Sequence, residues 1–314
     1  MTRAPSGPSG FSRLRRGGAA VAVALAALLL AWPAAAARAA APAALTASYD
    51  RLLPLEGGSN FRDLGGYFTA DGHRVRRGMV FRSGVMTGLT AADQDYLAGF
   101  GFRRVVDLRS SEERDLYPNH WARAQGIEVA AHDYSIAEVV ARMVDEDGEV
   151  RGMAALYTAF PDQLEPQLRR FFDELLAANV PLVVNCSAGQ DRTGLTAALF
   201  LLALGVPRAV VIQDYLLSTR YRRPQIERGD VDLAAAAQSN AFARLMLRYR
   251  EEGGARQPQP LLTAQGVPYL RFALDRIEQE FGSVAAYLEA RLGVDGAALA
   301  ELRERFLVAG YARP

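Results

Sequence analysis

A single cysteine lies where an apolar run meets a glycine-bearing turn. The stretch "VVNCSAGQDRTGLTAALFLLALG" covers residues 183–205 and contains Cys186, the only cysteine of the 314-residue chain. A free thiol is among the most readily buried groups, so packing is one interpretation. The other is chemistry, because a helix N-terminus stabilises a thiolate and its free N–H groups can hold an anion.

The residues that follow Cys186 favour chemistry. Gly189, Arg192, Thr193 and Gly194 stand three, six, seven and eight positions further on, and a thiol kept only for packing requires none of them. A glycine lets the backbone curl around an anion, and an arginine offers a planar fork for two phosphate oxygens. A thiolate aimed at a bound phosphoryl group is a nucleophile aimed at phosphorus.

The surrounding sequence predicts the elements that would position this turn. Short apolar runs, "MVFRS", "RRVVDLRS", "IEVAA" and "PLVVNC", predict strands, and "LTAADQDYLAGFG" and "DQLEPQLRRFFDELLAANV" between them predict helices. Strands alternating with helices indicate an α/β fold whose mainly parallel sheet is flanked by helices. In such sheets, ligands bind beyond the carboxyl ends of the strands. "TGLTAALFLLALGVP" is apolar all round and predicts a buried helix that ends at Gly205.

The two ends of the chain differ from this core. A basic stretch ending at Arg16 precedes an uncharged run from Gly17 to Ala37, which predicts a secretory signal peptide over 1–40 and a catalytic domain over 41–314. An uncleaved membrane anchor is the alternative, because the run is long enough to span a bilayer. The first interpretation predicts an exported protein, periplasmic or secreted. "VPYLRFALDRIEQEFGSVAAYLEARLG" and "AALAELRERFLV" predict closing amphipathic helices.

Composition excludes some partners. Half of the residues are hydrophobic, 23% are charged and the net charge is +1, so we expect a globular core and no nucleic-acid-binding surface. His73, His120 and His132 are widely separated and show no metal-ligand spacing. We therefore expect no metal and no other cofactor.

The turn resembles the protein tyrosine phosphatase signature, Cys-x5-Arg followed by Ser or Thr. Further stretches in order are "NFRDLGGY", "VFRSG", "LT", "VVDLRSSEE", "AGQDRTG", "VIQDYLLS" and "ALDRIEQEFGSVAAYL". Together they are similar to the atypical bacterial tyrosine phosphatase family, which includes secreted mycobacterial phosphatases, some of which also accept phosphoinositides. The resemblance covers about 51–308 and is weakest in 137–160 and 219–262. The second gap falls in a more polar helical insertion, about 213–263, called the lid segment below.

The resemblance implies a role for each residue of the turn. Cys186 would attack phosphorus, Arg192 would hold the phosphoryl oxygens, and Asp191 would protonate the leaving group. The phosphate-binding loop would consist of Ser187, Ala188, Gly189, Gln190 and Thr193, the last also bonding the departing thiolate. The implied substrates are phosphotyrosine proteins or small phosphomonoesters, with phosphoinositides or inositol phosphates as an alternative. A weakly active phosphate-binding pseudophosphatase is a further alternative.

The identity of the acid stays open at this stage. Asp191 could instead brace the loop by accepting backbone N–H groups. Asp107, at the end of "RVVDL", is the second candidate, although a role as N-cap or as the ion-pair partner of Arg109 or Arg62 is the preferred interpretation for it. Asp133 is the third.

Two positions depart from the family pattern. Asn185 stands where relatives usually have His, and it can still orient the loop by a hydrogen bond. Gln190 stands where they have Lys, which removes a cation beside the substrate and disfavours lipid substrates. Outside the loop, Asn60, Arg62 and Asp63 of "NFRDLGG" are interpreted as a turn and ion-pair framework. "RYRRPQIER" is interpreted as a solvated helix face, with attraction of anionic substrates as the alternative.

Overall fold

The structure is a computed structural model that describes residues 50–142, 152–251 and 258–310. The predicted signal peptide lies outside these residues. The strands are β1 (Arg62–Asp63), β2 (Arg74–Val75), β3 (Val80–Ser83), β4 (Arg104–Asp107), β5 (Glu128–Ala131), β6 (Leu182–Asn185) and β7 (Leu307–Val308). The helices before β6 are α1 (Ala91–Ala98), α2 (Ser111–Leu116), α3 (His120–Ala124), α4 (Ile136–Arg142), α5 (Met153–Gln163) and α6 (Glu165–Leu176). Those after it are α7 (Arg192–Ala203), α8 (Arg208–Tyr221), α9 (Pro224–Arg228), α10 (Leu233–Ala236), α11 (Ala241–Glu251), α12 (Leu270–Phe281), α13 (Val284–Leu292) and α14 (Gly296–Phe306).

The main sheet has the order β1-β3-β6-β4-β5. The pairs β3–β6, β6–β4 and β4–β5 are parallel, and β1 adds an antiparallel edge strand. The four runs predicted as strands form β3, β4, β5 and β6, so the predicted α/β fold with a mainly parallel sheet is confirmed. A small antiparallel pair, β2 with β7, lies apart from it.

Both faces of the sheet are buried at its central strands β3, β6 and β4, whereas the edge strand β5 is partly exposed. Successive side chains of a strand point to opposite faces, so Leu182 and Val184 of β6 belong to one apolar cluster and Val183 to another. Side chains from α5 to α8 and α12 to α14 fill the first cluster, and Trp121 and Leu97 contribute to the second. Burial on both faces explains why β6 is continuously apolar rather than alternating.

The register of the sheet fixes where a ligand can bind. Asn185 at the end of β6 lies beside Ser83 of β3 and Asp107 of β4. Cys186 is the next residue, and α7 begins six positions after it. The predicted buried helix is therefore α7. It ends just before Gly205, whose φ of 87° lies in the left-handed region. The turn that carries the cysteine leaves the carboxyl end of the central strand.

The lid segment begins later than its predicted start at 213. Asp214, Tyr215 and Ser218 are buried in α8, so the first part of the segment belongs to the core. The short helices α9, α10 and α11 follow it. Within residues 50–142, 152–251 and 258–310, no helix combines the length and apolarity needed to cross a bilayer.

Candidate active site

Cys186 lies against a cavity of about 310 Å³ at the end of β6. The residue is only 2% exposed. Asp191 and Arg192, the other two predicted catalytic residues, line the same cavity, as do Ser187 and Ala188. The turn therefore brings the predicted nucleophile, acid and arginine to one space.

Hydrogen bonds from behind hold the carbonyl groups of the turn. The amide of Val85 donates to the Ser187 carbonyl at 2.9 Å. Asn60 Nδ2 and Arg82 Nη2 both donate to the Gly189 carbonyl at 2.7 Å. Because a trans peptide points its N–H opposite to its C=O, each bond turns the next amide toward the other side of the turn.

The amides of the turn are not used by the described parts of the protein. In the described part of the chain, none of the N–H groups of residues 187–192 donates to a protein acceptor. Buried backbone N–H groups normally find a partner, and these stand at the start of α7, where the helix dipole favours negative charge. The turn is suited to hold an anion such as a phosphate.

Gly189 is required by the geometry of the turn. Its φ is 62°, in the left-handed region. A Cβ at this position would lie 2.4 Å from the Ser83 carbonyl oxygen and 2.5 Å from the Gly84 nitrogen. Another residue would therefore have to shift β3 or unwind the turn.

The ion-pair framework predicted around Asn60 and Arg62 holds the side chains that bond the carbonyl groups of the turn. Arg62 Nε and Arg82 Nη1 donate to the two carboxylate oxygens of Asp214 at 3.1 and 2.8 Å. Burial and then the charge of Arg82 lower the pKa of Arg62 to about 10. Because Asp214 lies between these guanidinium groups, its pKa falls far below the usual value despite its burial. This ion pair fixes Arg82, which in turn holds the Gly189 carbonyl.

Arg192 is held by a carboxylate that the sequence analysis did not identify. Its two terminal nitrogens donate to the two oxygens of Glu113 at 2.6 Å each. The hydroxyl of Tyr134 lies 2.7 Å from Arg192 Nη1, and Ser187 Oγ donates to Glu113 Oε1 at 2.5 Å. Burial alone would raise the pKa of Glu113, but the charge and hydrogen bonds of Arg192 lower it to about 2.

A capping box places Glu113. Ser110 is the N-cap of α2, and its hydroxyl accepts the Glu113 amide at 3.3 Å. Glu113 Oε2 accepts the Ser110 amide at 2.9 Å in return. The Ser-x-x-Glu spacing in "SSEE" is the local signal for this motif, and it was present in the sequence.

Asp191 contacts a side chain rather than the loop backbone. Its Oδ1 accepts a hydrogen bond of 2.5 Å from the hydroxyl of Tyr157, and Gln190 Nε2 lies 3.4 Å from the same oxygen. As the N-cap of α7 it makes no side-chain cap hydrogen bond. The alternative role as a loop brace therefore has no contact to support it.

The other two acid candidates lie elsewhere. Asp107 is 2% exposed, and both of its oxygens accept hydrogen bonds from Arg109, the shortest at 2.6 Å. This is the ion-pair role that was the alternative for Asp107. Asp133 is exposed and pairs with Arg114. Neither carboxylate lines the cavity that Cys186, Asp191 and Arg192 share.

Asn185 and Thr193 flank the loop. Asn185 Nδ2 lies 3.5 Å from Asp107 Oδ1, so its predicted hydrogen bond is directed to β4 and not to the loop. The hydroxyl of Thr193 is buried and has no hydrogen-bond partner among the described residues. That orphaned hydroxyl is consistent with a role that appears only during the reaction.

The missing cation at Gln190 is supplied by another element. Arg222, which ends α8, donates from Nη1 to Gln190 Oε1 at 2.6 Å and lines the cavity. Burial alone would lower the pKa of Arg222, but the hydrogen bonds and charge of Glu227 raise it. The charges of Asp191 and Cys186 raise it further. Arg222 thus places a guanidinium group beside Gln190, paired with Glu227 at 2.7 Å. The "RYRR" stretch is therefore not simply a solvated face.

The outer wall of the cavity is mostly apolar. Aromatic and aliphatic side chains from α10, α11 and the end of α2 contribute Tyr117, Leu233, Phe242, Met246 and Tyr249. Arg228 and Arg250 add positive charge at the same wall. In the residues that the structure describes, His, Cys, Asp and Glu form no group of three that could hold a metal ion.

A turn that presents a cysteine, an arginine and amides facing away from the sheet, at the end of a parallel strand, has the geometry to bind a phosphate. The model of the tyrosine phosphatase family matches residues 53–308. The chain belongs to this family, and it is a protein-tyrosine phosphatase. The expected family and fold are thus confirmed.

Three curated proteins are similar to this chain. A protein of Cupriavidus necator named as a tyrosine-protein phosphatase is 31% identical over 85% of this chain and 92% of its own length. The triple specificity protein phosphatase PtpB of Mycobacterium tuberculosis is 30% identical over 74% of this chain and 91% of its own. A tyrosine-protein phosphatase of Nostoc commune is 27% identical over 71% and 72%.

Proposed function

We propose that this phosphatase hydrolyses phosphotyrosine-type phosphomonoesters through a phosphocysteine formed at Cys186. The observation that carries the proposal is the placement of Cys186, Asp191 and Arg192 at one cavity, beside a loop whose amides meet no acceptor in the ranges 50–142, 152–251 and 258–310. Neither an ordinary buried cysteine nor a purely structural turn requires this combination.

In the first half of the reaction, the Cys186 thiolate attacks phosphorus. The S–P bond forms as the bond from phosphorus to the phenolic oxygen breaks. Negative charge on the three remaining phosphoryl oxygens is stabilised by the loop amides and by Arg192. Glu113 keeps the Arg192 guanidinium in one orientation, so little reorganisation is needed at the moment of transfer.

Proton transfer is assigned to Asp191. Its carboxyl group donates a proton to the leaving oxygen, so that a neutral phenol departs. In the second half, the resulting carboxylate takes a proton from water as that water attacks phosphorus and the S–P bond breaks. The orphaned hydroxyl of Thr193 is available to donate to the thiolate that leaves.

The cavity wall supports an aryl phosphate as substrate. Aromatic and aliphatic side chains line its outer part, where the ring of a phosphotyrosine would pack. The second candidate is a phosphoinositide, favoured by Arg222, Arg228 and Arg250, which could meet a further phosphate. The name of the Mycobacterium tuberculosis relative, a triple specificity protein phosphatase, supports testing more than one class of substrate. The assembled acid and arginine argue against a pseudophosphatase.

One assay separates these candidates. Purified protein is incubated in EDTA with a phosphotyrosine peptide, p-nitrophenyl phosphate and bis-phosphorylated phosphoinositide vesicles, beside the Cys186→Ser variant. We expect EDTA-resistant turnover that is highest for the peptide and is lost in the variant. Turnover that requires a metal, or that persists without the thiol, would contradict the proposal.

We also propose that the protein is exported, because a basic stretch and an uncharged run precede the catalytic domain in the sequence. Fractionation of cells expressing the full chain and a variant without residues 1–40 tests this. We expect only the full chain in the periplasm or the medium. Retention of the full chain in the cytoplasm would contradict export.

A further inference from the structure

Two buried phenols from different helices lead to Asp191. The hydroxyl of Tyr215 in α8 donates to the hydroxyl of Tyr157 at 2.7 Å. Tyr157 in α5 donates in turn to Asp191 Oδ1 at 2.5 Å. Tyr157 is fully buried and Tyr215 is 1% exposed. A directed chain of hydrogen bonds therefore runs through the core and ends on a carboxylate at the cavity.

Packing fixes both rings. Tyr157 stacks on Tyr269 with a centroid distance of 5.8 Å and contacts Phe160 at 4.9 Å. Tyr215 lies so close to α7 that a Cβ at Gly194 would come within 2.9 Å of its ring. Neither phenol can turn away without disturbing the core, so the position of Asp191 Oδ1 is set by tertiary structure.

The two phenols can act only as hydrogen-bond donors toward Asp191. Burial and then the charge of Asp191 raise the pKa of Tyr157 well above its usual value, so the phenol keeps its proton. Burial and then the same carboxylate also raise the pKa of Tyr215. Among the described residues, Asp191 Oδ2 accepts no hydrogen bond. One oxygen is thus held from the core, and the other is available to a substrate.

We propose that Tyr157, supported by Tyr215, is a positioning residue for Asp191 that orients its carboxyl group and stabilises the carboxylate left after proton donation. The proposal rests on the proposed function, in which Asp191 gives its proton to the leaving oxygen. Tyr157 does not itself transfer a proton. A hydrogen bond to a charged acceptor is stronger than one to a neutral acceptor, so this contact strengthens as the proton leaves.

The test uses substrates that differ in their need for a proton. The full-length protein and its Tyr157→Phe variant are assayed with phenyl phosphate and with p-nitrophenyl phosphate, whose leaving group departs readily without protonation. For Tyr157→Phe we expect kcat/KM, which reports only the half-reaction that releases the phenol, to fall about tenfold on phenyl phosphate and less than about twofold on p-nitrophenyl phosphate. A merely structural role would lower both equally.

Tyr287→Phe is the matched control. This tyrosine is also fully buried and donates to the α5 backbone, at the Pro161 carbonyl, over 2.7 Å. It does not line the cavity. We expect Tyr287→Phe to leave the ratio of kcat/KM on phenyl phosphate to kcat/KM on p-nitrophenyl phosphate unchanged. Should Tyr157→Phe fail to fold, Tyr215→Phe carries the same test, with an expected loss of about threefold on phenyl phosphate alone.

A double variant decides whether Tyr157 acts through Asp191. Adding Tyr157→Phe to Asp191→Asn should cause no further loss of kcat/KM on phenyl phosphate, because the carboxyl group that Tyr157 positions is already absent. Three results would overturn the inference: equal losses of kcat/KM on both substrates, an unchanged ratio of the two kcat/KM values in both phenol variants, or fully additive losses in the double variant. None of them would contradict the proposed phosphatase function. A wild-type protein inactive on every aryl phosphate would overturn the proposed function and this inference together.

Discussion

Glu113 and Arg192 are joined by two parallel hydrogen bonds of 2.6 Å, between the two guanidinium nitrogens and the two carboxylate oxygens. Glu113 is fully buried, and Arg192 keeps 17% of its side chain exposed at the cavity. The capping box of α2 fixes one partner, and the first turn of α7 carries the other. The pair therefore connects two helix N-termini across the phosphate-binding loop.

Removing the negative charge from Glu113 should free the arginine. We expect Glu113→Gln to lower kcat/KM on a phosphotyrosine peptide by about tenfold or more, because Arg192 loses the fork that orients it. Glu112→Gln is the matched control, since Glu112 accepts the Ile136 amide and does not line the cavity. Steady-state kinetics of the two variants measures the difference. Equal activity in both would show that the pair is not needed.

The same pair makes stability depend on pH. The pKa of Glu113 is lowered from 4.5 to about 2, so its stabilising contribution is fully present above pH 4.5 and is lost as pH falls toward 2. We expect the free energy of unfolding of wild type to exceed that of Glu113→Gln at pH 6, and the gap to shrink below pH 4.5. Denaturant titrations at several pH values measure it. A gap that is constant from pH 6 to pH 3 would contradict the assignment.

Asp191 and Asp107 should respond differently to the same substitution. We expect Asp191→Asn to lower kcat/KM on phenyl phosphate far more than on p-nitrophenyl phosphate, with little effect on stability. Asp107→Asn should instead reduce stability by about 3 kcal/mol, because it leaves the buried Arg109 without its counter-charge. Leaving-group kinetics and unfolding curves measure both properties. The reverse pattern would exchange the two roles.

Arg222 should contribute to substrate affinity. We expect Arg222→Gln to raise KM severalfold for bis-phosphorylated phosphoinositides, and less for a phosphotyrosine peptide, with kcat nearly unchanged. Arg220→Gln is the control, because Arg220 is exposed two positions away and does not line the cavity. A KM that is unchanged for both substrates would show that Arg222 serves only the fold.

The sequence was sufficient to predict the site residues that lie close together along the chain. Cys186, Gly189 and Arg192 lie within seven residues between a strand and a helix, so their spacing predicts their common location in the structure. The strands were predicted because β6 and its neighbours each contain a short apolar run, as the core of a sheet buried on both faces requires. The capping box of Glu113 is local too, but the spacing alone does not show that its carboxylate would also hold an arginine.

Long-range contacts could not be predicted in this way. Tyr157 is 34 positions from Asp191, and Arg222 is 32 from Gln190. Each is placed by packing of helices, and a single tyrosine or arginine in a helix has no spacing that would mark it. Asp107 is a contrasting case. Its position at the end of β4 resembles that of a catalytic carboxylate, and its local partner Arg109, which the sequence offered as the preferred alternative, accounts for it.

The most direct test of the account is to trap the intermediate. The protein is mixed with p-nitrophenyl phosphate, quenched in acid within milliseconds and examined by mass spectrometry of intact protein and of its peptides. We predict one added phosphoryl group, located at Cys186, which forms during turnover and is absent from Cys186→Ser. A protein that turns over substrate with no phosphoryl group on Cys186 at any quench time, or with the group on another residue, would contradict the account.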